Sequence, residues 1–340
     1  MRAISAIAVL VASALIVAAC SDDEGPTTLT VITHDSFDAT EAVIAAFEQE
    51  HGVTVTLVKG GDANQVVNRA ILNSGNPEAD VLFGVDNLAF RRTVEAGVFD
   101  NYKAKRRDEI PADVLAQFGD STAVTPIDYG YVNINLDRGA ELLAPSTFEE
   151  LTTETWRGKL VVEDPATSST GLQFLASTVA YFGDGGWQDF WRDLKANDVL
   201  VTDGWEDAYY VQFSQWGGDR PLVVSYTSSP AAEFLFADPP VDRPPTENVI
   251  PGPLFRQVEA AAVLNGTQAE ELAREFIDFM LSDAFQKQIP ETMFVYPVIP
   301  GVETPDWWQW AEVDVQAATL EAEQAEIDDW ISEWTEIMRR

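Results

Sequence analysis

The chain has 340 residues, 56 of them acidic and 21 basic, a formal net charge of −35, and a hydrophobic fraction of 46% that is ample for a core. So anionic a surface repels phosphate backbones and lipid headgroups, which excludes nucleic acid as a partner; it favours solubility and draws cationic solutes only within a Debye length of roughly 10 Å. The length suits two compact α/β lobes or one large domain.

Met1-Arg2 is a minimal basic start, and the apolar run from Ile4 to Ala19 is shorter than the about 20 residues a membrane span needs, so residues 1–19 form a signal peptide. The run ends Val17-Ala18-Ala19-Cys20, which resembles the lipobox of bacterial lipoproteins and implies cleavage before Cys20 and acylation of its thiol. Cys20 is the only cysteine, so an exported form has no internal disulfide, and lipidation accounts for the residue. Residues 20–28, polar and broken by Gly25-Pro26, make a tether from lipid to domain.

Leu29 to Thr33 is β-branched and apolar, a buried strand. Thr40 to His51 has Val43, Ile44, Ala46 and Phe47 at helical spacing, with Gly52 as its C-cap and His51 at the end where the helix dipole favours a cation. Val53 to Val58 is a strand, Asn64 to Leu72 a helix and Ala79 to Gly84 a third strand. This alternation predicts a parallel sheet with right-handed crossovers, whose ligands sit off the carboxyl ends of the strands. His34-Asp35-Ser36-Phe37, Asp62-Ala63-Asn64 and Asp86-Asn87 then lie along one rim.

Further on, strands are expected at Tyr129 to Leu136, Gly158 to Glu163, Val199 to Val201, Pro221 to Tyr226 and Gln257 to Leu264. Gly171 to Phe182 and Ala269 to Leu281 read as helices, the latter with Leu272, Phe276, Phe279 and Met280 inward. The proline-rich stretch 239–253 reads as an ordered surface loop, and 313–340 as an acidic helical segment whose Trp330 and Trp334 share a packing face.

No histidine pair has zinc spacing, no glycine-rich phosphate loop follows a strand, and no G-x-S-x-G elbow is present. Nothing singles out a catalytic residue, a metal or a cofactor. Aromatics do stand beside carboxylates and hydroxyls in several places. Trp205 lies between Asp203-Gly204 and Glu206-Asp207, Tyr129 follows Asp128, and Tyr226 sits in Ser225-Tyr226-Thr227-Ser228-Ser229-Pro230. Thr167-Ser168-Ser169-Thr170-Gly171 opens a helix whose free N–H groups suit a polar or anionic group. Ring faces attract a flat cation and carboxylates accept from an amino group, so together these pieces suit a flat, cationic, hydrogen-bonding ligand.

From Leu29 almost to Arg340 the chain resembles the thiamine-binding periplasmic proteins of bacterial ABC importers. The resemblance is carried by Thr33-His34-Asp35-Ser36-Phe37, Pro126-Ile127-Asp128-Tyr129-Gly130-Tyr131, Glu163-Asp164-Pro165-Ala166-Thr167-Ser168, Thr202-Asp203-Gly204-Trp205, Ser225-Tyr226-Thr227-Ser228-Ser229-Pro230, Gln257-Val258-Glu259 and Tyr296-Pro297-Val298. It implies a two-lobed type II periplasmic-binding-protein fold of class α/β, with residues 29–126 and 258–300 in the first lobe and 127–257 and 301–340 in the second. It implies closure on thiamine or a thiamine phosphate, and delivery to an ABC permease in the membrane. Asp62 matches the family's binding acid, with Ala63 where glycine is frequent. Ser168 and Ser169 match its hydroxyl pair, Trp205 its aromatic wall, and Tyr226 and Ser229 its Ser-Tyr-Thr-x-Ser-Pro run.

There are departures from the family pattern. His34, beside Asp35, stands where tyrosine is common; Ala232 replaces a stacking tyrosine; Phe294 stands where a tryptophan precedes Tyr-Pro-Val. Tyr210 or Phe234 would have to supply the lost stacking face. Two alternatives stay open at this stage. One is a ferric-ion or other small-solute binder using Tyr209, Tyr210 and His34. The other is an enzyme acting on a thiamine-precursor pyrimidine.

Overall fold

The computed structural model describes residues 27–119, 121–313, 317–318 and 322–339. The expected signal peptide, Cys20 and part of the C-terminal acidic stretch lie outside the described residues.

The first third alternates as its hydrophobic periodicity requires: β1 (Thr28–Thr33), α1 (Glu41–His51), β2 (Thr54–Lys59), α2 (Ala63–Leu72), β3 (Val81–Asp86) and α3 (Phe90–Glu95). Gly52 ends α1 in the left-handed region at φ 68°, returning its N–H to Glu48. β1 pairs in parallel with β2 on one side and β3 on the other. A short α4 (Ala112–Leu115) leads into the 13-residue β4 (Thr125–Asp137). The middle third is β5 (Leu160–Glu163), α5 (Ser169–Phe182), α6 (Gly186–Ala196), β6 (Leu200–Thr202), α7 (Trp205–Asp207), β7 (Leu222–Tyr226) and α8 (Ser229–Leu235). Here β5 pairs in parallel with both β6 and β7. The rest comprises β8 (Thr246–Val249), β9 (Leu254–Val263), α9 (Glu270–Met280), α10 (Asp283–Thr292), β10 (Tyr296–Pro297), β11 (Ala317–Ala318) and α11 (Gln324–Arg339).

The sheet runs β2-β1-β3-β9-β4-β7-β5-β6. Two parallel trios therefore flank an antiparallel pair, β9 and β4, which carries the chain between them. Each trio has its own hydrophobic core. The first gathers Val31, Phe47, Leu82, Phe83, Phe276 and Phe285. The second gathers Val162, Leu175, Trp187, Trp191, Val224 and Trp334. β4 gives Ile127 to the first core and Val132, Ile134 and Leu136 to the second, so one strand is shared by both.

The stretch 239–253 is not all loop, because β8 within it pairs antiparallel with β4. Its four residues, two of them the polar Glu247 and Asn248, show no apolar run from which to expect a strand. Trp334 is buried edge-on against Trp191, and Trp330 packs beside it on the second core.

Candidate functional site

Because each trio is parallel, its strand-to-helix turns collect at one edge, and the two edges face each other. A cavity of about 770 Å³ lies between them. His34 follows β1 and Asp62 follows β2. Opposite them Ser169 follows β5, Trp205 follows β6, and Ser229 follows β7, which ends in Tyr226. All six line the cavity, as do Asp35, Ala63 and Phe294.

Asp62 is the N-cap of α2 in a reciprocal capping box with Gln65. Its Oδ1 accepts from the N–H of Ala63 at 2.7 Å and of Ser169 at 3.2 Å, and its Oδ2 from the N–H of Trp205 at 2.9 Å. One carboxylate thus caps helix starts on both sides of the cavity. Burial raises its pKa, while the Trp205 N–H, His34 and the other two amides oppose that shift. Asp35 holds the turn that presents Asp62, accepting from the Gly61 N–H at 3.0 Å. Next to this bridge Asn64, fully buried, donates to the carbonyls of Pro165 and Ser168 at 3.1 and 3.2 Å and accepts from Arg92 at 3.0 Å.

The aromatic wall is fixed by its polar edges. The Trp205 indole N–H donates to Ser225 Oγ at 2.8 Å, and that hydroxyl meets Ser229 Oγ at 2.8 Å. Tyr209 stacks on Trp205 with centroids 4.8 Å apart. The Tyr226 hydroxyl donates to Gln257 Oε1 at 2.6 Å and lies 3.0 Å from Thr170 Oγ1. Glu233, below the rings, accepts from Tyr209 Oη at 2.7 Å and from the Trp216 indole at 3.0 Å. Burial and then Glu233 raise the phenol pKa of both Tyr209 and Tyr210, so neither is poised as a phenolate. Their rings stand at 83°, and Tyr209 has spent its hydroxyl on Glu233, so the pair does not present two free phenols to a ferric ion.

Two expected residues are not brought to the cavity. Ser168 is fully buried and caps α5, its hydroxyl accepting from the Gly171 N–H at 3.4 Å. Tyr129 lies on the opposite face of β4, stacked on Tyr296 at 5.2 Å with the Arg256 guanidinium 5.7 Å from its ring centre. Side chains alternate along a strand, and it is Gly130 that faces the site: a Cβ there would meet the Tyr226 ring at 2.7 Å. Of the two residues expected to serve the face of Ala232, one reaches the cavity. Phe234 packs on Trp310, whereas Tyr210 and Phe236 line the cavity, the latter edge-on to Phe294 at 5.5 Å. Phe294 sits at φ 53°, a conformation that costs a non-glycine residue about 1–2 kcal/mol and that aims its ring at the rim.

Gln257 and Glu259 on β9 also line the cavity, and the sequence reading gave them no role. Their spacing of two on a strand was the available signal, since it puts both on one face.

Residues 42–317 match the profile of the bacterial extracellular solute-binding proteins, and the chain belongs to that class. Its architecture is the type II periplasmic-binding-protein fold. Over 322 residues it is 32% identical to the thiamine-binding periplasmic protein of Escherichia coli K12, covering 92% of this chain and 94% of that one. The protein of that name from Brucella suis is 31% identical over 79% of each chain. A solved periplasmic thiamin binding protein superposes with a TM-score of 0.78 at 29% identity, covering 92% of this chain and 96% of that one. Within its class, the chain belongs with the thiamine-binding periplasmic proteins.

Proposed function

We propose that the protein binds thiamine or a thiamine phosphate outside the cytoplasm and hands it to an ABC permease, anchored meanwhile by a lipid on Cys20. The observation that carries this reading is the cavity itself. Its volume of about 770 Å³ falls within the roughly 300–1,000 Å³ usual for small-molecule sites. Fixed aromatic faces stand on one side, at Trp205 and Tyr226, and carboxylates surround them. Thiamine is a flat aminopyrimidine joined to a permanently positive thiazolium, the kind of ligand that such walls hold by cation–π attraction and hydrogen bonding.

In this reading residues 29–126 and 258–300 move as one lobe and 127–257 and 301–340 as the other, with β4 and β9 as the hinge. Trp205 and Tyr226 wall the rings. Ala63, Ser169 and Ser229 surround the polar end, Asp62 holds the two sides together around the ligand, and Phe294 with Phe236 closes the rim. The names of the thiamine-binding relatives from Escherichia coli and Brucella suis, both binding proteins, support transport over catalysis.

Thermal unfolding with added ligand tests the reading. Thiamine at a hundredfold excess over its dissociation constant stabilises the protein by about 2.7 kcal/mol, and incubation yields no product. Stabilisation by ferric ion with no effect of thiamine makes the protein an iron binder instead; turnover of an aminopyrimidine makes it an enzyme. The anchor is tested separately: mass spectrometry of the membrane fraction finds an acylated N-terminal Cys20, and a soluble, unmodified Cys20 in native cells removes it.

A further inference from the structure

The carboxylates around the cavity are not equivalent. Asp62 has both oxygens occupied by backbone N–H groups. Glu233 is held by Tyr209 and Trp216. Glu259 is different. It lines the cavity, is only 7% exposed, and has no close donor. His34 Nε2 approaches its Oε1 at 3.5 Å as an ion pair, and Gln257 Nε2 stands at 3.5 Å, the outer limit of a hydrogen bond. A buried carboxylate so poorly satisfied is costly unless something positive meets it.

Behind it lies Asp128, its register partner across β4 and β9, at the bulge in β4. Both Asp128 oxygens are buried and meet no donor. Asp128 is held well above the usual carboxylate range, by burial first and by Glu259 second. On the other side, burial opposes charge on His34, but Glu259, Asp62 and Asp35 together outweigh it and leave its pKa raised. The other groups facing the cluster are Asp86, fully buried, and the Tyr226 phenol, both pushed up by burial.

We propose that Glu259 is the counter-ion of a positively charged ligand ring, and that the ligand's cation displaces a proton from the neighbouring Asp128 and His34 as it binds. The inference rests on the reading of the cavity as a site for a thiamine-like cation. A cation brought beside Glu259 favours the deprotonated form of every group around it. Binding therefore releases protons, and affinity rises with pH across the titration of His34. The cluster sits where the paired strands cross between the two cores, so the charge balance is settled at the hinge.

Calorimetric titration tests this with three probes: thiamine, its uncharged analogue with a thiophene ring in place of the thiazolium, and N-methylpyridinium. Wild-type protein is expected to release protons on binding thiamine, seen as a heat that differs between phosphate and Tris buffers at one pH. Glu259→Gln is expected to weaken thiamine at least about tenfold while leaving the uncharged analogue nearly unaffected. His34→Gln should bind thiamine more tightly at mildly acidic pH and flatten the pH dependence. Wild-type affinity for thiamine in Glu259→Gln, or thiamine binding with no proton release, overturns the inference; the second measurement needs no variant to fold. If the wild type binds N-methylpyridinium through Glu259 but not thiamine, the counter-ion stands and the thiamine reading falls. If it binds neither, both fall.

Discussion

The family resemblance marks Asp62 as the expected binding acid, and the structure shows that carboxylate as a cap. It accepts from three backbone N–H groups, one on α2 and two across the cavity, so removing it strands donors on both sides. Asp62→Ala is expected to lower the stability of the ligand-free protein by about 1–2 kcal/mol in denaturant titration, with Asp62→Asn recovering part of that. Trp205 is anchored at its edge by Ser225 and backed by Tyr209. Trp205→Ala should weaken thiamine binding several-fold to some tens-fold, since one aromatic contact with a cation is worth about 0.5–2 kcal/mol. Trp330→Ala is the contrasting case: it packs on the second core, so it should lower the melting temperature and leave the affinity of the folded protein almost unchanged. Normal affinity in Trp205→Ala, or lost affinity in a folded Trp330→Ala, places the pocket elsewhere. Glu259 went unassigned because its significance depends on what surrounds it, and no sequence pattern states that a carboxylate lacks donors.

The elements built on strong periodicity were legible, and the exceptions have physical causes. β1, β2 and β3 and their helices follow from β-branched runs and helical spacing. Tyr129 was misplaced because parity along β4 is set by its pairing with β7 and β9, and a bulge near Asp128 shifts that register. β8 was missed because so short a strand is stabilised by its partner and not by its own composition. At β3, Gly84 sits at φ 104° inside a register shift against β9, and a Cβ there would meet the His34 ring at 2.7 Å. Gly84→Ala should therefore cost about 1–2 kcal/mol from backbone conformation alone. It should also push His34 from its place beside Glu259, and calorimetry should then show less proton release on ligand binding along with the lower melting temperature.

At the scale of the whole molecule, the buried carboxyls act in one direction. Asp62, Asp86, Asp128 and Glu163 are each raised above the ordinary carboxylate range, in every case with burial as the largest cause. An acid with a raised folded pKa holds more protons folded than unfolded between the two values, so stability falls as pH rises through that window. His34 acts with the same sign: its contribution is complete below the unfolded value of about 6.5 and is lost as pH climbs through the raised folded value. Self-repulsion from a net charge of −35 adds to both. The melting temperature is expected to rise between about pH 8 and about pH 5.5, and to rise at the higher pH on adding about 1 M salt, which screens the repulsion. A melting temperature that falls over that range would show that paired surface carboxylates outweigh the buried ones.

What the sequence determined by itself is what local chemistry encodes: the alternating elements of the first trio, the strand-end positions of His34, Asp62 and Trp205, the class of protein and its anionic character. Periodicity, caps and turn residues act over a few positions, and they survive being read one segment at a time. What only the tertiary structure decided is what depends on two segments meeting. Asp62 became a bridge because α5 and Trp205 come to it from more than a hundred residues away. Tyr129 left the site because its neighbours chose the face of β4. Phe236 joined the lining of the cavity edge-on to Phe294, a contact between distant segments. Glu259 and Asp128 became neighbours because β9 and β4 align them in register, and with both side chains buried the Asp128 carboxyl is held well above its ordinary range.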